Sequence, residues 1–491
     1  MKQVILMAVI LLPLAAGVLL PICNPKTGKQ RAYFVLTTLF LEAALVSWLL
    51  LQDEAACSVF SMTPSLTIAF RMDGVSRLFL LIAAYGFLLA GIYALRYMEH
   101  AGRENSFFSF FLLSLGALAG MDLSGNLITM YLFFEMLTLL SMPMVLHDRS
   151  KGSIRAGLKY LYYSIAGAFL GLLCIFFLSR YCTTLDFVGG GSLDPVLAAK
   201  HRTLLQVVSF LGVLGFGAKA GMYPLHGWLP TAHPVAPAPA SAVLSGIIAK
   251  AGVLAILRTV YFSVGADFLR GTWVQTALLS LALLTVFMGS MMAYRERVFK
   301  KRLAYSSVSQ ISYVLVGLFF LTEQSAVGGL LHILFHAVIK ICLFLVAGSF
   351  IVNTGKHRVD EYRGYGKSMP KTMWAFTLAS LALVGIPPAS GFVSKWYLAL
   401  GALDSGVELF SWLAPVVLLI SALLTAGYLF PITIAGFFPG KDAALPKKND
   451  EGGKRMWVPI LLLGLLSVAL GLFAAPLLRW METIAKAMLG I

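Results

Sequence analysis

Four lysines, Lys219, Lys250, Lys340 and Lys395, sit inside runs otherwise apolar enough to cross a bilayer. A lysine at bilayer depth costs about 2.5–3.5 kcal/mol to insert, so it normally faces a protein interior or a water-filled path. His332, His336 and Lys340 recur every four residues in SAVGGLLHILFHAVIKICLFLVAGS. That spacing lines them along one helix face over about 12 Å at 1.5 Å per residue. Imidazoles take up and release protons near neutral pH, and a buried lysine able to lose its charge extends such a relay. Glu135, in YLFFEMLTLLSMPMV, is a carboxylate that must either hold a proton or seek a cation. Lys219 is its natural partner. The static alternative is a buried ion pair that fixes helix packing, but such a pair is often no more stabilising than an apolar replacement.

Each of these groups has a plainer reading beside the functional one. The histidine pair could hold haem or a metal, or be packed and hydrogen-bonded; the metal reading lacks a third ligand. Lys395 has Ser390 and Ser394 nearby, but a lysine near a span end can also snorkel to the surface. Lys250 shares its segment with Ser241 and Ser245, and YSSVSQISY, from Tyr305 to Tyr313, is rich enough in hydroxyls to order water. It equally fits ordinary helix-packing polarity. His226 and His233 flank LHGWLPTAH, either as the cytoplasmic mouth of a path or as interfacial residues beside Trp228. The five cysteines show no ligand spacing; Cys57 and Cys182 fall in loops on one side, where geometry decides whether they pair. No cofactor or metal is expected, and no redox chemistry in this chain itself.

The elements that must position these groups are membrane spans. Charged residues make up only 12% of the chain and mean hydropathy is +0.85, against about 25% charge in soluble domains. About 20 apolar residues per span gives fourteen: near 4–21, 32–51, 75–95, 106–121, 125–146, 157–180, 204–223, 239–262, 272–292, 303–321, 326–352, 371–403 (interrupted), 410–437 and 457–478. The first is kept as a span because no small-residue cleavage site follows it. Met121 to Asn126 reads as a tight turn, and the charged linker from Gly440 to Arg455 as mobile.

The net charge of +16 could point to nucleic acid or anionic lipid, but 24 of the 38 basic residues fall in loops after odd-numbered spans. Ten, Arg258 among them, lie on the other side, and the four intramembrane lysines complete the count. The positive-inside rule places the basic loops in the cytoplasm and both termini outside. Nucleic acid is not an expected partner. Pro224 interrupts span seven after Lys219; Pro387 and Pro388 interrupt span twelve before Lys395. Broken spans five apart fit an inverted repeat, or two unrelated kinks.

FFEMLTL, AKAGMYPLHGWLPTAHPVAPAPASAVLSG, AYSSVSQISY, HILFHAVIKICLFLVAGS and GIPPASGFVSKW together resemble the antiporter-like membrane subunits shared by respiratory complex I, membrane-bound hydrogenases and Mrp Na⁺/H⁺ antiporters. The resemblance runs over nearly the whole chain. It implies an all-α polytopic fold of about fourteen transmembrane helices with two inverted five-helix repeats and two broken helices. The divisions are 1–105, a three-helix segment; 106–262, the first repeat; 272–437, the second; and 438–491, linker and last helix. It implies a controlling ion pair of Glu135 and Lys219, and a hydrated proton path continued by Lys250, His336, Lys340 and Lys395, with His332 matching a second histidine of several relatives. The implied setting is a multi-subunit ion pump in the cell inner (cytoplasmic) membrane, driven by redox chemistry in partner subunits. Its expected partners are other membrane subunits, further antiporter-like ones among them, with H⁺ and the lipid bilayer. Lys395 leans toward the Mrp D-type subunit, a component of Na⁺/H⁺ antiporters, or the hydrogenase-type subunit, while PLHGWLPTAH looks more like the complex I and hydrogenase members; whether Na⁺ moves as well as H⁺ is not set by the sequence.

Overall fold

The computed structural model describes residues 2–63, 66–440 and 451–491. Lys441, Lys447, Lys448 and most of the expected linker lie outside the described residues. The chain is an all-α polytopic membrane protein. Its helices are α1 (Lys2–Cys23), α2 (Gly28–Leu50), α3 (Gly74–Ala101), α4 (Glu104–Asp122), α5 (Leu127–Val145), α6 (Lys151–Tyr181) and α7 (Arg202–Ala220). There follow the short α8 (Leu229–Val235), then α9 (Ala238–Val264), α10 (Trp273–Arg295), α11 (Phe299–Phe319) and α12 (Glu323–Thr354). The last are α13 (Pro370–Val384), α14 (Ser390–Leu403), α15 (Glu408–Phe437), α16 (Lys454–Leu472) and α17 (Ala474–Leu489).

Among the described residues twelve helices are long and apolar enough to cross a membrane. With α11, whose first turn carries Lys300, Lys301 and Arg302, and the interrupted α13–α14 pair, the crossings number the fourteen expected. Over their most apolar eighteen residues α9 and α12 are entirely buried, whereas α1, α2, α15 and α16 are 28–39% buried. A helix that turns no face outward belongs in the middle, so α9 and α12, which also carry Lys250, Arg258, His332, His336 and Lys340, form the axis around which the others pack.

Loop contacts sort the connections into two rims. On one, Phe70 bridges Ser124, Asn126 bridges Asp186, and the Gly190 amide donates to the Met488 carbonyl at 3.0 Å. Lys2 reaches Asp53 at 3.5 Å and Lys486 reaches Glu323 at 3.8 Å on that same rim. On the other, Arg31 pairs with Glu104 at 2.6 Å, Val298 bridges Arg358, and the Gly364 amide donates to Ala435. Loops after even-numbered crossings and both chain ends meet on the first rim; loops after odd-numbered crossings meet on the second, as an even number of crossings requires.

Four features depart from the sequence reading. A hairpin of β1 (Ala55–Thr63) and β2 (Leu66–Met72) caps the first rim where only a connecting loop was expected. The fourteenth span ends at Leu472, and α17 turns off as a separate amphipathic helix whose Ile484 lies against Gly74. Cys57 and Cys182 are free: one belongs to the hairpin, the other bridges Leu193. Arg258 is no loop residue but is buried inside α9.

Candidate functional site

Both interrupted helices stop at a glycine, ahead of the prolines that mark them in sequence. α7 is closed by Gly221 (φ 80°) and α13 by Gly385 (φ 89°), each in the left-handed conformation that favours glycine at a helix C-terminus. Helix interruption at this depth leaves main-chain groups needing partners, and it is tolerated where the backbone is enclosed in protein or lines a cavity.

Lys219 is fully buried in the last turn of α7. Its ammonium donates to Thr138 Oγ1 of α5 and to the Tyr160 hydroxyl of α6, each at 2.7 Å. Tyr160 meets Ser141 at 2.8 Å, and the Trp228 ring lies against it at a tilt, centroids 4.6 Å apart, while donating its indole N–H to the Ala218 carbonyl. Glu135 lies one turn before Thr138, half-buried, accepting from the Tyr131 hydroxyl at 3.2 Å. The ion pair expected between Glu135 and Lys219 is not among those formed by the described residues. Two hydroxyls occupy the ammonium instead. Gly252 of α9 comes against this turn so closely that a Cβ there would lie 3.0 Å from the Lys219 Cβ.

Lys250 follows a π-helical stretch, Leu244–Ile248, that offsets the α9 ladder. Such bulges free carbonyls and recur at functional positions; here the Lys250 ammonium donates to the Gly246 carbonyl at 2.5 Å and the Ser245 carbonyl at 3.4 Å. The Ser245 hydroxyl meets Ser307 of α11 at 2.6 Å. One residue back on α11, Ser306 accepts from Lys340, which also donates to the Leu303 carbonyl at 3.0 Å. His336 and Gln310 are buried, and among the described residues no side-chain nitrogen or oxygen of either has a hydrogen-bond partner. A buried polar atom left unpaired costs about 1–3 kcal/mol, and a group of them marks ground that water would bridge. His332 stacks on His336 at 6.0 Å and on Tyr313 at 5.4 Å, and its Nδ1 lies 2.9 Å from Ser394 Oγ of α14.

Lys395 closes the row. Its ammonium donates to the Leu383 and Val384 carbonyls at 2.6 and 2.8 Å and lies 5.2 Å from the Tyr313 ring. Those carbonyls belong to the last turn of α13, the negative end of a helix dipole, where a cation is favoured. The snorkelling alternative is therefore not what the lysine does here.

His226 stands half-buried at the basic rim, stacked on Tyr223. Lys159, nearby, donates to Thr231 at 3.1 Å. His233 is instead wholly buried, stacked on Phe344 with neither ring nitrogen bonded among the described residues. Sequence reasoning assigned Lys300 to a cytoplasmic loop; it is buried, with its ammonium on the Pro234 and Ala236 carbonyls beside His233. The signal was there in principle: Lys300 stands next to Phe299, which opens a helix buried over most of its length. Hydroxyls Thr138 and Tyr160 carried no such mark.

A polytopic bundle with two interrupted helices and a buried row of lysines, histidines and hydroxyls is the architecture of an antiporter-like membrane subunit. The chain belongs to the NADH:quinone oxidoreductase/Mrp antiporter transmembrane family, whose pattern matches residues 124–425. It is 36% identical over 411 residues to the N subunit of the NADH-quinone oxidoreductase of Desulforudis audaxviator, covering 81% of this chain and 80% of that one. It is 27% identical over 486 residues to the D-type subunit of a Na(+)/H(+) antiporter of Bacillus subtilis, covering 98% and 96%. A chain of the Mrp complex from a Dietzia species superposes with a TM-score of 0.84 at 25% identity, over 99% of this chain and 97% of that one.

Proposed function

We propose that the chain is the proton-translocating subunit of a multi-subunit ion pump driven by redox chemistry elsewhere in the complex. Protons pass along the row from Lys219 through Lys250, Lys340 and His336 to His332 and Lys395. The observation that carries this is the setting of Lys219. An ammonium held by two hydroxyls rather than by a carboxylate can give up its proton and keep both hydrogen bonds, because one of Thr138 and Tyr160 can turn and donate to the single lone pair of the neutral amine while the other still accepts from its N–H. Glu135, a turn away, tunes that balance: its negative charge favours the ammonium, and moving or neutralising it releases the proton. One opposite charge within about 4–6 Å is worth 1–3 pKa units, enough to tip nearly balanced states. The proton released by one amine is taken up by the next, so that charge moves and no bond but N–H or O–H is made or broken.

The two halves, 106–262 and 272–437, act in this reading as inverted repeats, each with one broken helix and one end of the row. The basic rim faces the cytoplasm and both chain ends face outward, in the inner membrane, as the distribution of Lys and Arg favours. His226 and Lys159 form the cytoplasmic entrance. Partners are the other membrane subunits of the complex and the surrounding lipid. The higher identity to an NADH-quinone oxidoreductase subunit supports a redox-driven parent complex; the near end-to-end match with the D-type subunit of a Na(+)/H(+) antiporter supports the alternative, exchange of Na⁺ for H⁺. The test is Lys219→Ala in the intact complex reconstituted in liposomes, with proton movement followed by an entrapped pH dye. Transport is expected to fall at least about 100-fold, the scale of losing an acid–base group; transport at the wild-type rate overturns the assignment.

A further inference from the structure

A second set of buried charges stands toward the hairpin rim, apart from the row. Arg258 opens the π-helical end of α9 and is 1% exposed. Its guanidinium donates to both Asp73 oxygens, at 2.6 and 2.9 Å, and to the Ser76 hydroxyl at 3.0 Å. The rings of Phe187 and Phe262 lie 4.6 and 4.7 Å from it. A second carboxylate, Asp122 at the end of α4, is equally buried, and the chain just after it is tied to this cluster: the Arg71 amide, two residues before Asp73, donates to the Leu123 carbonyl at 2.6 Å, and the Phe187 amide donates to the Gly125 carbonyl at 3.0 Å. Neither of its oxygens has a hydrogen-bond partner among the described residues.

Two buried carboxyls thus stand in the neighbourhood of one guanidinium that is always charged, and only Asp73 is bonded to it. With Arg258 on Asp73, a second bare carboxylate in the interior would be left unpaired, at a cost of many kcal/mol unless it holds a proton. Asp73, by contrast, borders a cavity of about 230 Å³ on the hairpin rim, lined also by Glu54, Arg71, Val188 and Ile484. Burial alone would push the Asp73 carboxyl up; Arg258 and the Ser76 amide outweigh it and hold it at about 2. That hold lasts only while the guanidinium stays. Lys250 lies eight residues before Arg258 on the same span, about 12 Å toward the row.

We propose that Asp122, Arg258 and Asp73 form a proton outlet from the first half of the chain to the hairpin rim, in which guanidinium and proton exchange carboxyls. In one state Asp122 carries the proton and Arg258 pairs with Asp73. In the other Arg258 pairs with ionised Asp122 and the proton is on Asp73, from which it passes to water in the rim cavity. The exchange keeps the cluster neutral; it becomes negative by one only when the proton leaves, and a proton arriving from the Lys250 side restores it. The two flanking aromatic faces suit a guanidinium that changes partners, since cation–π attraction persists as it slides.

This outlet rests on the proton row proposed above, so the experiment separates the two. Asp122→Asn preserves the shape and neutrality of a protonated aspartate but has no acid proton to release. In the reconstituted complex it is expected to lower proton transport at least ten-fold, and the infrared carbonyl band of a neutral carboxylic acid should lose intensity relative to wild type. Asp73→Asn, which removes the second carrier, should lower transport by a similar factor and keeps the question open to test if the D122N complex does not assemble. Wild-type transport by D122N or D73N while Lys219→Ala is inactive overturns the outlet and leaves the row standing, as does an infrared band unchanged in D122N. Wild-type transport by Lys219→Ala removes the row and the outlet with it.

Discussion

The two interrupted helices hold their lysines in opposite ways. Lys219 comes before its break, is fully buried, and rests on the hydroxyls of Thr138 and Tyr160. Lys395 comes after its break, is half-buried, and rests on two main-chain carbonyls at the end of α13. A hydroxyl donates or accepts, while a carbonyl only accepts. The first setting accommodates amine and ammonium alike; the second favours ammonium. One end of the row changes its charge readily, and the other holds its proton more tightly before passing it on.

Arginine, which cannot lose its proton, separates these roles most strongly. Lys219→Arg should reduce proton transport in the reconstituted complex by about 100-fold, and Lys395→Arg by less than about 10-fold. Equal losses at both positions would erase the distinction. A smaller effect, about 10-fold, is expected from Tyr160→Phe, which leaves Lys219 one hydroxyl short, and a loss of several-fold from Glu135→Gln, because Glu135 acts on Lys219 through space and not through a bond. If Glu135→Gln proves as damaging as Lys219→Ala, the two must meet directly during turnover. The smallest effects concern the breaks. Alanine in the left-handed conformation costs about 1–2 kcal/mol, so Gly385→Ala should lower the melting temperature of the detergent-solubilised complex by a few degrees. Gly221→Ala should lower it further, since the added methyl would run into Leu229 Cδ1.

The crossings and the intramembrane cations were legible because each is a local signal: a long apolar run, or a charge interrupting one. The halves of the broken helices were legible too, although prolines drew attention a few residues beyond the glycines where the chain turns. What escaped depends on partners remote in sequence. Arg258 sits 185 residues from Asp73, and by composition alone a basic residue at a span end reads as a loop residue. Lys300 was hidden in the same way, its acceptors lying 66 and 64 residues back. Asp122 falls in what reads as a tight turn, and nothing local says that the hairpin and α17 will close over that rim. Thr138 and Tyr160 are ordinary helix residues until α7 brings an ammonium to them.

The burial of α12 from Ser325 to Phe350 also bears on how the chain is made. No side of that helix is left for lipid, yet the Ser394 hydroxyl that meets His332 is synthesised 62 residues later. At translation speeds of about 5–20 residues per second, the newly inserted helix must wait on the order of 3–12 seconds beside the insertion machinery with that imidazole unmatched. Biogenesis of this chain therefore calls for a sheltered interval, and slowing the ribosome across residues 340–395 should raise the fraction of molecules lost to quality control.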